Sequence, residues 1–357
     1  MKAAVYQGKQ QIVVEDLPIP VPGPGEIIVR IGYSAICGTD VHAFLYDIAP
    51  PGSVMGHEFS GTVAAVGPGV ELWKEGDRVV GGGGNPPPGM EAPLRRQEQY
   101  NYRLEGFAST RKRGYAEYTL LNDWEPIAIP ENVSDLQACL TEPCAVAVRA
   151  VRLSKQRLGD TVAVLGSGPI GLLCLQAARA AGARRIIVSE PSEARREVAS
   201  LLGADSIIDP LIEDPVETII KLTDGSGPHV VYECAAAKPT LGTAFNVVRK
   251  NGNVMLVALA WEEIPLLPVD WAGKEVTFNT TFGSEYYDWL VAMHLISTGK
   301  VNLDPLMSDA DIIELEGVQN AFEALCKPST QVQMAVSYTH LRAHETRHDL
   351  VCRLLLE

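Results

Sequence analysis

The chain has 357 residues, with 30 Lys and Arg against 44 Asp and Glu, a formal charge of −14. That length predicts about two domains, and 46% hydrophobic against 21% charged residues excludes a disordered, collagenous or coiled-coil chain. The acidic balance excludes nucleic acid and anionic membranes as expected partners.

The first 35 residues alternate apolar and polar around Pro and Gly turns, predicting short strands at Ala3–Tyr6, Ile12–Glu15 and Glu26–Tyr33. His57–Val66, Asp77–Val80 and Tyr115–Leu121 continue the β pattern. Between them Gly81–Arg113 opens GGGGNPPPG and reads as a long surface loop. The period changes near residue 140. Thr161–Leu165, Arg185–Ser189, Ser206–Ile208, His229–Glu233, Asn253–Leu259 and Val276–Phe282 read as strands. Leu172–Ala181, Glu193–Leu202 and Val216–Leu222 read as helices between them. Strand and helix in alternation predict a doubly wound parallel sheet, so the fold class is α/β with a β-rich domain in front.

The longest run without charges or amides, Val162–Leu175, is 14 residues and contains Gly, Ser and Pro. A membrane-spanning helix needs about 18, so none is expected. Met1–Asp16 carries charges throughout and shows no secretory signal. The seven cysteines form no paired framework, which predicts a reducing, cytoplasmic setting.

Gly166, Gly168 and Gly171 form G-x-G-x-x-G, with Pro169 and Ile170 between the last two. The first glycine permits a tight turn, the second lets the backbone approach a pyrophosphate, and the third lets the helix sit close to the sheet. Glu190 lies 19 residues past Gly171 at the end of the next strand, where a carboxylate accepts from a ribose. It would repel a 2′-phosphate, so NAD is expected over NADP. Arg195 and Arg196 could soften that preference or form a solvated helix face.

Cys37, Thr39, Asp40 and His42 stand in CGTDVH, and His57 and Glu58 in GHE. Thiolate, imidazole and carboxylate are the donors of a catalytic zinc. Cys37 and His57 are 20 residues apart, so spacing alone does not separate a metal site from two unrelated residues.

The stretches CGTDVH, GHEFSGTV, VGPGV, EGDRVV, TEPCAVAVRAV, VLGSGPIGLL and IIVSEPSEARR resemble the zinc-dependent medium-chain dehydrogenase/reductase family over residues 1 to about 334, and within it the sorbitol/2,3-butanediol dehydrogenase branch. The resemblance implies a GroES-like catalytic domain over residues 1–145, a Rossmann NAD-binding domain over 146–285, and a return segment over 286–334. It implies reversible hydride transfer between NAD and a secondary alcohol, vicinal diol or polyol, giving a ketone. One catalytic zinc per chain is implied, at Cys37 and His57, with Glu58, Glu142 or water completing the set. Asp40 matches the acid behind the ligand histidine, Thr39 and His42 a proton relay, and Glu190 and Arg195 positions at the adenosine ribose. A homodimer or homotetramer and a small alcohol or ketone partner are also implied.

Many relatives bind a structural zinc through four cysteines in the lobe after GDRV. Gly81–Arg113 contains no cysteine, so no structural zinc is expected. Gly81–Gly84 also lacks bulky side chains, which predicts a wide substrate mouth. Cys139, Cys174, Cys234 and Cys326 read as small core residues, Cys144 as core or a stand-in ligand, and His229 and His294 as structural. A zinc-free NAD(P)H-dependent enone or quinone reductase, or a non-enzymatic NAD-binding protein, are the alternatives; the apparent ligand set and relay argue against them.

The segment Ala335–Glu357 breaks from the composition before it and resembles translated sequencing-adapter DNA. It is expected to lie outside the fold, leaving a sheet edge bare. His340, His344 and His348 within it fall at i, i+4, i+8, a spacing read as an artefact of frame rather than a metal stripe.

Overall fold

A computed structural model describes residues 1–82, 114–327 and 331–338. The chain forms two compact units, Met1–Leu140 with Asp309–Ser329 and Met334–Glu357, and Thr141–Ser308 with Thr330–Gln333. From Gly83 to Arg113 the predicted surface loop lies outside the described residues.

In the first unit the chain runs β1 (Lys2–Gly8), β2 (Gln11–Asp16), β3 (Glu26–Ala35), α1 (Gly38–Leu45), β4 (Ser53–Val54), β5 (Glu58–Val66), β6 (Arg78–Val80), β7 (Tyr118–Asn122), β8 (Ile127–Ala128) and α2 (Asp135–Ala138). The hub is β3, whose Ile27, Ile28, Val29 and Ile31 are all buried. It pairs antiparallel with β5 and, over Glu26–Arg30, with β7. Gly61 permits that register, because a Cβ there would fall 2.2 Å from the Arg30 carbonyl. Tyr6, Phe44, Phe59, Tyr115 and Phe322 are the large rings of this core. Gly81 has a packing reason of its own, since a Cβ would overlap the Phe59 ring at 2.1 Å. The predicted wide mouth therefore gains nothing from Gly81, and Gly83 and Gly84 lie outside the described residues.

The second unit runs α3 (Thr141–Leu153), β9 (Thr161–Leu165), α4 (Pro169–Ala180), β10 (Arg185–Ser189), α5 (Glu193–Leu201), β11 (Ser206–Ile208), α6 (Pro215–Leu222), β12 (Val230–Glu233), α7 (Lys238–Val247), β13 (Asn253–Leu256), α8 (Pro268–Ala272), β14 (Thr277–Thr280) and α9 (Tyr286–Ser297). Its six strands lie in the order β11-β10-β9-β12-β13-β14, all parallel. Every residue of β9 is buried, which explains its unbroken apolar sequence TVAVL. Strand order reverses between β9 and β12, the point where such sheets open a ligand crevice beyond their carboxyl ends. The chain returns to the first unit at Asp309, so α9, inside the predicted return segment, belongs to the second. Fully buried Asp288 of α9 accepts from Arg152 of α3 at 2.9 Å and stands 3.5 Å from Arg149.

The returning chain supplies β15 (Ile312–Ile313), α10 (Val318–Leu325) and β16 (Ala335–Ser337) to a seven-stranded sheet ordered β15-β16-β3-β5-β6-β8, with β7 also on β3. Here the sequence expectation is corrected. Ala335–Ser337, read as lying outside the fold, pair with Tyr33–Ala35 of β3, the Tyr338 amide donates to the Gly32 carbonyl at 3.0 Å, and Val336 and Tyr338 are buried. The edge expected to be bare is covered, because strand pairing uses main-chain groups that any short extended segment offers. His340, His344 and His348 lie outside the described residues. Among the described residues no helix is long and apolar enough to cross a membrane.

Candidate active site

Cys37 follows β3 and caps the N-terminus of α1, its Sγ accepting from the Thr39 amide at 3.4 Å. His57 and Glu58 stand where the chain enters β5. Gly56 makes that entry possible, with φ +96° and Gly114 Cα only 2.9 Å from where a Cβ would be. One donor atom each of Cys37, His57 and Glu58 lies within 4.8 Å of the others. Sulfur, imidazole nitrogen and carboxylate oxygen are a zinc donor set, and donors on a tetrahedral zinc sit about 3.5 Å apart, so a small contraction suffices.

Asp40 is buried behind this group, its Oδ1 3.5 Å from His57 Nδ1. Tyr115 donates to the other oxygen, Oδ2, at 2.8 Å. Burial disfavours a charged His57, but Asp40 and Cys37 outweigh it and hold the imidazole well above its ordinary value. Burial, reinforced by the Glu58 charge, pushes the Cys37 thiol up to about 12. A cation among these groups would displace both protons. Thr39 and His42 sit half-buried at i and i+3 on α1. Burial lowers the His42 value, which favours the neutral ring. Glu142 lies half-buried in the first turn of α3, in the second unit.

In the second unit the glycine loop joins β9 to α4. Gly166 has φ +88° with Ala235 against it, and a Cβ on Gly171 would fall 1.9 Å from the Gly166 carbonyl. A Cβ on Gly168 would meet only Arg195 Nη1, at 3.8 Å. Gly168 caps α4 with no side-chain hydrogen bond, and Pro169 and Ile170 begin the helix, an N-terminus of the kind that receives phosphates. Glu190, buried at the end of β10, accepts from the Ser167 amide at 2.7 Å and the Ser192 amide at 2.9 Å. Arg195 donates to the Gln331 carbonyl at 2.8 Å. Arg196 donates to the Glu190 carbonyl at 2.9 Å and pairs with Asp209 at 3.0 Å. The structure thus groups Cys37, Asp40, His57 and Glu58 in one unit, and the glycines, Glu190 and Arg195 in the other.

Tyr115 and Asp209 were not singled out in the sequence. Neither stands in a motif with its partner, 75 positions away for Tyr115, so only the fold reveals them. Cys139, Cys144 and Cys174 are buried, as read from their apolar stretches, while Cys234 and Cys326 are half-buried. His229 is a structural acceptor for the Thr161 amide at 3.1 Å.

A dinucleotide cradle in one unit and a zinc-type donor set in the other define a metal-using, nucleotide-dependent oxidoreductase. Comparison with known proteins narrows the class. Residues 23–131 match the alcohol dehydrogenase GroES-like domain and residues 169–298 the zinc-binding dehydrogenase domain. The (R,R)-butanediol dehydrogenase of Bacillus subtilis (strain 168) is 33% identical over 354 residues, 94% of this chain and 99% of that protein. A crystal structure of the 2R,3R-butanediol dehydrogenase from Bacillus subtilis matches with a TM-score of 0.83, at 32% identity over 94% of this chain and 99% of the other. The sorbitol dehydrogenase of Homo sapiens is 33% identical over 336 residues, 90% of this chain and 92% of that protein. A zinc-binding dehydrogenase from Sinorhizobium meliloti 1021, solved with NADP bound, has a TM-score of 0.83 at 28% identity, covering 94% and 98%. The chain belongs to the zinc-binding alcohol dehydrogenases, in the branch of the butanediol and polyol dehydrogenases.

Proposed function

We propose that this dehydrogenase reversibly oxidises a secondary alcohol, vicinal diol or polyol to the ketone, with NAD as hydride acceptor and one catalytic zinc per chain. The observation that carries the reading is the convergence of Cys37, His57 and Glu58 on one point. These three residues would hold the zinc, and the resemblance adds Glu142 as a candidate. Bound zinc supplies Lewis acidity that makes an alcohol hydroxyl easier to deprotonate near neutral pH. Thr39 accepts that proton and passes it on toward His42, whose neutral ring is ready to take it. Asp40 keeps the His57 ring oriented and supports its basicity. Gly166, Gly168 and Gly171 make room for the pyrophosphate against the start of α4. Glu190 receives the adenosine ribose hydroxyls and Arg195 borders them.

Two further readings belong with this one. The outer strand β14 leaves Phe278 partly exposed and borders exposed Phe282, an edge suited to pairing with a second copy. That supports a homo-oligomer. Among the described residues the cysteines are free, which fits a reducing cytoplasm.

The test is zinc per chain by elemental analysis without added metal, followed by NAD⁺ reduction with 2,3-butanediol, sorbitol, xylitol and threonine. Zinc near one per chain with turnover of a diol or polyol supports the reading. Zinc that stays near zero after reconstitution removes it, and enones would then be screened.

A further inference from the structure

The segment around Tyr115 is interlocked with the segment that carries His57. The Tyr115 amide donates to the Met55 carbonyl at 3.0 Å and the Gly114 amide to the Gly56 carbonyl at 3.0 Å. Gly56 is so close to this crossing that no side chain fits there. The Tyr115 ring is buried, edge-on to Phe322 at 5.8 Å between centroids. Tyr338 donates to the Gly114 carbonyl at 3.1 Å and closes the segment from the far side. The backbone therefore leaves the Tyr115 hydroxyl little freedom. It points at Asp40 Oδ2, with the Ala35 carbonyl at 3.3 Å.

Asp40 presents its other oxygen to His57 Nδ1. An imidazole whose Nδ1 is held by a carboxylate offers Nε2 to a metal. Were the Asp40 carboxylate free to turn out of this plane, it would lose its line to Nδ1 and the ring orientation would blur. We propose that Tyr115 is a positioning residue of the metal site: it fixes Asp40, which fixes the His57 ring so that Nε2 faces Cys37 and Glu58. This rests on the reading of Cys37, His57 and Glu58 as zinc ligands. Burial and the neighbouring Asp40 charge keep the tyrosine protonated, so it serves as a donor at every working pH.

The variant is Tyr115→Phe, which keeps the ring against Phe322 and removes only the hydroxyl. Zinc affinity is measured by competition with a chromophoric chelator, and site geometry by the visible spectrum of the cobalt(II)-substituted protein. Zinc affinity is expected to fall about 10- to 100-fold, the usual cost of losing an outer partner of a ligand histidine. The cobalt bands are expected to shift. Phe322→Leu is the control, because it loosens the same packing and spares the hydroxyl; its thermal midpoint should fall while its zinc affinity and cobalt spectrum hold. Wild-type affinity and spectrum in Tyr115→Phe would overturn the proposal, as would equal zinc loss in Phe322→Leu. A wild-type chain that binds no zinc would defeat the ligand reading instead, so the two failures are distinguishable.

Discussion

Arg196 is committed to Asp209 by an ion pair of 3.0 Å, while another of its nitrogens donates to the Glu190 carbonyl at 2.9 Å. Arg195, one residue earlier on the same helix, donates to the neutral Gln331 carbonyl at 2.8 Å. The Glu190 carboxylate is itself braced by the Ser167 and Ser192 amides. On the proposed reading a 2′-phosphate would be repelled by Glu190 and would find Arg196 already paired with Asp209, leaving Arg195 as the cation in its favour.

Releasing Arg196 should change the cofactor preference. In Asp209→Asn the guanidinium keeps its carbonyl bonds but loses its counter-charge. We expect NADP⁺ to bind about tenfold more tightly, a gain of about 1.4 kcal/mol, with NAD⁺ binding changed less than twofold. Fluorescence titration with each nucleotide measures this. An unchanged ratio of the two dissociation constants would show that Asp209 does not restrain Arg196. The double variant with Arg196→Ala should return the ratio to the wild-type value.

Cys37 has two tasks that one substitution can separate. Its sulfur caps α1 and stands in the donor cluster. Serine caps a helix at least as well, but a neutral hydroxyl is a poor zinc ligand. Cys37→Ser should keep its thermal midpoint as the metal-free protein and lose bound zinc. Turnover should fall about a thousandfold, the equivalent of about 4 kcal/mol of transition-state stabilisation. Full zinc content in this variant would remove Cys37 from the ligand set.

The glycine loop and the alternating second unit were legible because both depend on near-neighbour rules. Gly166, Gly168 and Gly171 are dictated by local crowding, and β9 and β10 by continuous apolar runs. The helix α1 is not legible in the sequence, since CGTDVHAF is short and poor in strong helix formers. It forms because Cys37 caps it and Phe44 packs into the core. The support of Asp40 by Tyr115 joins residues from distant parts of the chain and carries no sequence period.

The segment Ala335–Tyr338 departs from the expectation drawn from its composition for a physical reason: pairing with β3 needs only an extended backbone, which composition does not report. A chain ending at Met334 should be destabilised. It loses the β16 pairing, the buried Val336 side chain and the Tyr338 bond to Gly114. Burial of these two side chains contributes about 3–5 kcal/mol, or roughly 5–10 °C in the unfolding midpoint. Calorimetry of the shortened chain against the full one checks this. Equal midpoints would mean that β16 contributes nothing to the first unit.

Glu233 ends β12 beside the glycine loop and is buried with one oxygen overloaded and the other unpartnered. Its Oε1 accepts from the Ala235 amide at 3.1 Å, the Ala236 amide at 2.9 Å and Thr240 at 2.6 Å, while Oε2 has no hydrogen-bond partner. Burial raises its carboxyl above the ordinary value, and the three bonds to Oε1 offset this only in part. The folded state therefore holds this proton more tightly than the unfolded chain. The contribution is present below the unfolded value, near 4.5, and is lost as pH rises through the folded one. Glu233→Gln retains an acceptor oxygen and never ionises. Its stability relative to wild type should therefore improve steadily from pH 4 to pH 7, as followed by urea unfolding at each pH. A stability difference that is flat, or that moves the other way, would show that the carboxylate is satisfied when charged. NAD⁺ affinity should fall in step with any loosening of Ala235, because that residue packs against Gly166.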